Sequence, residues 1–106
     1  MAEIREEYVD YNGFKTYCKI VGENQPGKKT LLILHGGPGD CHNYLLPYAE
    51  MADKYGRQIV FYDQIGCGKS MIPHQEDDFY TYDLWVNEFY AVRKALGLDD
   101  IHLFGN

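Results

Sequence analysis

The chain has 106 residues, 45% of them apolar and 25% charged, and carries a net charge of −6 from 10 basic and 16 acidic side chains. That length suits one small domain, the composition is ordinary for a globular protein, and the acidic balance argues against nucleic acid or anionic membrane as the main partner. The chain lacks both a signal-peptide core and a run of 18 apolar residues, and its cysteines, Cys18, Cys41 and Cys67, are odd in number and scattered. A cytoplasmic protein with reduced, mostly buried thiols is expected.

In chain order, residues 8–11 and 14–21 are rich in aromatic and β-branched side chains and flank Asn12-Gly13, a strong hairpin signal. A polar loop containing Pro26-Gly27 follows, then residues 30–34, too continuously apolar for a half-exposed strand and read as a central parallel one. Residues 42–55 read as a helix with Leu45, Leu46, Ala49, Met51 and Ala52 on one face and Gly56 as terminator. A second buried strand is expected over 58–63. A second helix is expected over 82–96, with Asp83 as N-cap, Trp85 as an anchor for the sheet, and Val86, Phe89, Tyr90, Arg93 and Leu96 on its inner face. Residues 101–104 form the last strand. The order of hairpin, strand, helix, strand, helix, strand predicts an α/β fold, a mostly parallel, right-handed doubly wound sheet with an antiparallel start.

Two strand ends carry the chemistry. After the first parallel strand comes His35-Gly36-Gly37-Pro38-Gly39, a tight turn that leaves backbone amides uncovered. Such donors, aimed at charge developing on an acyl carbonyl, are worth roughly 3 to 4 kcal/mol each in the transition state. A bare turn would have needed fewer glycines. His35, at the strand end, reads as a residue that hydrogen-bonds loop backbone, since a general base must sit beside its nucleophile.

After the second parallel strand comes Asp63-Gln64-Ile65-Gly66-Cys67-Gly68-Lys69-Ser70. Its Gly68-Lys69-Ser70 end imitates a phosphate-binding loop, but the glycine needed five positions earlier is Asp63, and a dinucleotide fingerprint would put its third glycine on Met71. Cys41, His42, Cys67 and His74 lack zinc-ligand spacing, so no metal or cofactor is expected.

Together, His35-Gly36-Gly37-Pro-Gly, Asp63-Gln64-x-Gly66-Cys67-Gly68-x-Ser70, a helix ending Leu96-Gly97-Leu98 and a strand ending at Gly105 resemble the proline iminopeptidase family of α/β-hydrolases. The resemblance runs along residues 1–106 and corresponds to the first third of such an enzyme, the N-terminal portion of one domain. It departs from the family at Ile65 and Lys69, where arginine is usual.

The resemblance implies a serine hydrolase that releases an N-terminal residue, typically proline, from peptides with a free N-terminus. Gly37 would offer an oxyanion-hole N–H, with Gly36, Pro38 and Gly39 completing the substrate loop. His35, Asp63, Gln64, Gly66, Gly68 and Ser70 would hold the loops in place. Gly105 would open a Gly-x-Ser-x-Gly elbow with Asn106 as its x and the nucleophile at position 107. Asp63 precedes the elbow, whereas the triad acid follows it in chain order, so Asp63 reads as loop-fixing.

Epoxide hydrolases and dehalogenases share a His-Gly-x-Pro turn but place an aspartate at the elbow. A further alternative is a noncatalytic truncated or assembly module. In either case the last strand would present an open apolar edge, so completion by the rest of the enzyme as a second chain, or self-association through that edge, is expected. The 106 residues alone are expected to be inactive.

Overall fold

A computed structural model describes residues 3–23, 27–35, 47–98 and 100–105. The chain opens with a hairpin of β1 (Ile4–Tyr11) and β2 (Phe14–Val21). Asn12 and Gly13, at φ 53° and 82°, both lie in the left-handed region. A two-residue turn of this kind matches strand twist, which is why Asn-Gly serves here. β1 begins four residues earlier than its composition suggests. Its first half, Ile4-Arg5-Glu6-Glu7, is exposed and among the described residues pairs only with β2, a position in which a charged strand is tolerated and resists further pairing.

Then follow β3 (Thr30–Leu34), α1 (Glu50–Tyr55), β4 (Ile59–Tyr62), α2 (Tyr82–Leu96) and β5 (Ile101–Gly105). The sheet order is β1-β2-β4-β3-β5, with β2 antiparallel to β4 and both β4 and β5 parallel to β3. From β3 the chain moves to β4 on one side, then to β5 on the other. Crossovers of one hand that travel in opposite directions put their helices on opposite faces.

The core bears this out. Val60 and Tyr62 face Cys18, Ile20, Leu32 and the α2 residue Val92, whereas Ile59 and Phe61 face Val21, Ile33 and the α1 residue Ala52. β4, flanked by strands and covered on both faces, is buried throughout, the reason its sequence shows no polar alternation.

The described part of the first helix ends at Gly56 with φ 61°, the left-handed C′ position expected of it. Positions 42–46 of its expected span lie outside the described residues. The second helix has the expected bounds but a different cap and inner face. Thr81, not Asp83, is the N-cap: it is extended, and its hydroxyl accepts from the Leu84 N–H at 3.2 Å. Asp83 lies in the first turn, where its charge suits the helix dipole.

The buried stripe of α2 is Leu84, Glu88 and Val92, at i, i+4 spacing, with Phe89 and Leu96 packed beside it. Val86 and Tyr90 are 48% and 57% exposed. A glutamate at the centre displaced the expected stripe, because its burial is made tolerable only by partners remote in sequence. Trp85 stacks on Tyr80, with ring centroids 5.9 Å apart.

Candidate active site

Leu34 pairs in register with Tyr62 on one side and Gly105 on the other, so β3, β4 and β5 end level with one another. The next residues, His35 and Asp63-Gln64, therefore occupy one edge of the sheet. There the chain leaves β3 toward α1 and leaves β4 toward α2 on the opposite face, the kind of divergence at which parallel sheets open a crevice.

His35 is buried, and it and Gln64 grip each other twice. The Gln64 backbone N–H donates to His35 Nε2 at 2.9 Å, and Gln64 Nε2 donates to the His35 carbonyl at 2.9 Å. An accepting Nε2 places the proton of the neutral ring on Nδ1. The imidazole is thus engaged with backbone at the point where the 36–39 loop departs.

Residues 63–70 close on themselves. The Asp63 carboxylate, fully buried, accepts from the Lys69 N–H at 3.0 Å, and the Ser70 hydroxyl donates to the Asp63 carbonyl at 2.6 Å while accepting from the Tyr17 N–H at 2.8 Å. Three backbone bonds tighten the turn: Gly66 N–H to Ser70 O, Cys67 N–H to Gln64 O, and Ser70 N–H to Cys67 O. Gly66 sits at φ 85°, with the Tyr80 hydroxyl 3.0 Å from where a Cβ would lie. Gly68 is also left-handed, at φ 49°. Ser70 is buried, and its hydroxyl links the Asp63 carbonyl to the Tyr17 N–H.

One residue of this assembly was not anticipated. Glu88 of α2 is fully buried, and its carboxylate accepts from the Thr16 hydroxyl at 2.6 Å and from the Ile65 N–H at 2.9 Å. Burial raises its pKa above the ordinary glutamate range, against the opposing pull of those two hydrogen bonds. The spacing of Leu84, Glu88 and Val92 was a signal available in the sequence, since it centres position 88 on an apolar stripe.

A neighbouring thiol and phenol shift in the same direction. Burial pushes the Cys18 thiol up to about 12, with Glu88, Glu7 and Asp63 adding to the effect. Burial likewise raises Tyr62, with a smaller contribution from Glu88. A thiol held protonated is no nucleophile. The described residues thus provide a rigid, acidic, well-bonded edge and no activated attacking group of their own.

Gly36, Gly37, Pro38 and Gly39, the expected oxyanion and substrate loop, lie outside the described residues, as does Asn106. Gly105 is described: it is the last residue of β5, opposite Leu34, with open space where a side chain would project.

Residues 29–106 match the family model described as alpha/beta hydrolase fold. The chain belongs to that family. Among its hydrolase relatives, the proline iminopeptidase of Clostridioides difficile (strain 630) is 50% identical over 103 residues, which cover 97% of this chain and 34% of that protein. The crystal structure of the Mycobacterium smegmatis proline iminopeptidase superposes with a TM-score of 0.89 at 38% identity, over 96% of this chain and 35% of that one. An epoxide hydrolase of Vigna radiata, VrEH1, superposes at 0.80 with 23% identity over 98% of this chain and 32% of that one, a likeness of fold alone. The chain spans about a third of the length of the curated relatives it matches.

Proposed function

We propose that these residues form the N-terminal third of a serine hydrolase, part of a single α/β-hydrolase domain, whose reaction is the release of an N-terminal residue, typically proline, from peptides with a free N-terminus. The observation that carries the reading is the register of β3 and β5. Because Leu34 lies opposite Gly105, the end of β3 from which His35-Gly36-Gly37-Pro38-Gly39 continues in sequence lies one strand spacing, about 4.8 Å, from the strand end that would lead into a Gly-x-Ser-x-Gly elbow.

In this reading the nucleophile attacks the scissile carbonyl and the Gly37 N–H stabilises the oxyanion that forms. The loop carries no side chain at positions 36, 37 and 39 to block a substrate. His35, Asp63, Gln64, Gly66, Gly68 and Ser70 hold the supporting edge. The names of the relatives support a peptidase acting on N-terminal proline. The likeness to an epoxide hydrolase, one of fold alone, favours no other chemistry.

The partner of this segment is the remainder of the enzyme. Leu103 and Phe104 on β5 are 54% and 37% exposed, and among the described residues β5 pairs only with β3, which leaves an edge for that remainder to cover. The 106 residues alone are inactive in this account. The buried thiol of Cys18 suits a cytoplasmic setting.

The test is an assay of the completed enzyme with proline p-nitroanilide and its N-acetylated form, together with labelling by a fluorophosphonate. Release from the free substrate alone, with one serine labelled, is the expected result. Cleavage of neither substrate, or no labelling, would contradict the reading.

A further inference from the structure

The consecutive amides of Gln64 and Ile65 are held from opposite sides. One donates to His35 Nε2, at the end of β3, and the other donates 2.9 Å to Glu88 Oε1, on α2. The second carboxylate oxygen of Glu88 is tied to the Thr16 hydroxyl on β2 at 2.6 Å. A continuous run of hydrogen bonds thus leads from β2 through α2 and the 64–65 turn to His35, the residue from which the 36–39 loop departs.

Glu88 lies in the buried stripe between two apolar residues, Leu84 and Val92. A carboxylate there carries a desolvation cost that packing does not explain. What it adds is two acceptor sites in a fixed place, both filled.

We infer that Glu88 is a positioning residue for the oxyanion donor assigned above: by anchoring the Ile65 N–H it orients Gln64, whose two bonds hold His35, the residue that precedes Gly36-Gly37 in the chain. Glu88 touches no substrate. This role rests on the reading of Gly37 as an oxyanion donor. Oxyanion stabilisation is demanded in the transition state, so misplacing the loop lowers kcat and the rate of attack on an acyl-like electrophile while leaving ground-state binding nearly intact.

The experiment uses the completed enzyme and two substitutions. Glu88→Gln keeps the length and an acceptor for Ile65, and its amide can donate to the Thr16 hydroxyl. Glu88→Met keeps the length and removes both acceptors. The readouts are the fluorophosphonate labelling rate, kcat and KM for proline p-nitroanilide, and hydrogen exchange at the Gln64 and Ile65 amides.

Glu88→Met is expected to lower the labelling rate and kcat about tenfold or more, with KM within about threefold, and to speed exchange at both amides; Glu88→Gln is expected to stay within about threefold of the parent throughout. Parental labelling and turnover in Glu88→Met would overturn the inference, and so would a Gln variant as slow as the Met one. If Glu88→Met does not fold, Thr16→Val removes the bond that orients the carboxylate: a lower kcat at constant KM supports the role, and an unchanged kcat overturns it. A parent enzyme that labels but ignores prolyl substrates would sink only the substrate assignment. One that does not label would sink the hydrolase reading and this role with it.

Discussion

His35 and Gln64 exchange a reciprocal pair of hydrogen bonds, ring nitrogen to backbone N–H and backbone carbonyl to side-chain amide, both 2.9 Å long. His35 is the first residue after β3 and Gln64 the second after β4, and the pair ties the two strand ends together where the sheet ends. Replacing His35 by Leu preserves bulk but leaves the Gln64 N–H without its ring acceptor, at an expected cost of about 1 to 3 kcal/mol. Gln64→Ala removes only the side-chain half of the exchange and should cost less. Urea unfolding of the two variants ranks them; equal stabilities for His35→Leu and the parent would contradict the importance of the pair.

Glu88 predicts a pH dependence whose sign is unusual for a carboxylate. Its folded-state pKa is raised, mainly by burial. Between the ordinary glutamate pKa and the raised one, the folded chain therefore binds more protons than the unfolded chain, and stability falls as pH rises through that window. Glu88→Gln removes this contribution. The stability difference between variant and parent, measured by denaturant titration from about pH 4 to pH 8, should shift in favour of the variant as pH rises. A difference that stays flat would show that Glu88 titrates alike in both states.

Gly66 combines a left-handed backbone, φ 85°, with the Tyr80 hydroxyl 3.0 Å from the missing Cβ. Gly66→Ala must bear both the left-handed strain, about 1 to 2 kcal/mol, and displacement of the Tyr80 ring. A lower melting temperature is expected, with recovery of part of the loss in Gly66→Ala/Tyr80→Ala. No recovery would place the whole cost in the backbone.

Cys18, buried and with its thiol pushed up to about 12, should resist iodoacetamide at neutral pH in the folded protein and react once urea is added. Peptide mass spectrometry reads the modification. Rapid native labelling of Cys18 would contradict its placement in the core.

Much of this architecture was legible because local signals and burial agreed. Asn12-Gly13 marked the hairpin, the unbroken apolar run over Thr30–Leu34 marked a strand covered on both faces, and Gly97, at φ 66°, closed α2 where expected. Local pattern failed where a distant partner decides. The spacing of Leu84, Glu88 and Val92 marks position 88 as inward-facing, but what satisfies its carboxylate is contributed by Thr16 and Ile65, 72 and 23 residues away. Thr81 is the cap instead of Asp83 because the backbone is extended at Thr81 and already helical from Tyr82, two residues before the position the acidic signal suggested.

At the site, the glycine spacing and the strand ends indicated where two loops would meet. That His35 and Gln64 bond each other, and that Ser70 bridges Asp63 to Tyr17, depends on sheet order and register, which no local pattern encodes.

The most direct measurement is steady-state kinetics of Gly37→Val in the completed enzyme. A branched side chain at Gly37 would obstruct the amide assigned to the oxyanion, so kcat should fall by about 100- to 1,000-fold, the usual loss for one such donor, while KM changes little. Parental kcat in that variant would contradict the assignment of this segment as the oxyanion-hole portion of a serine hydrolase.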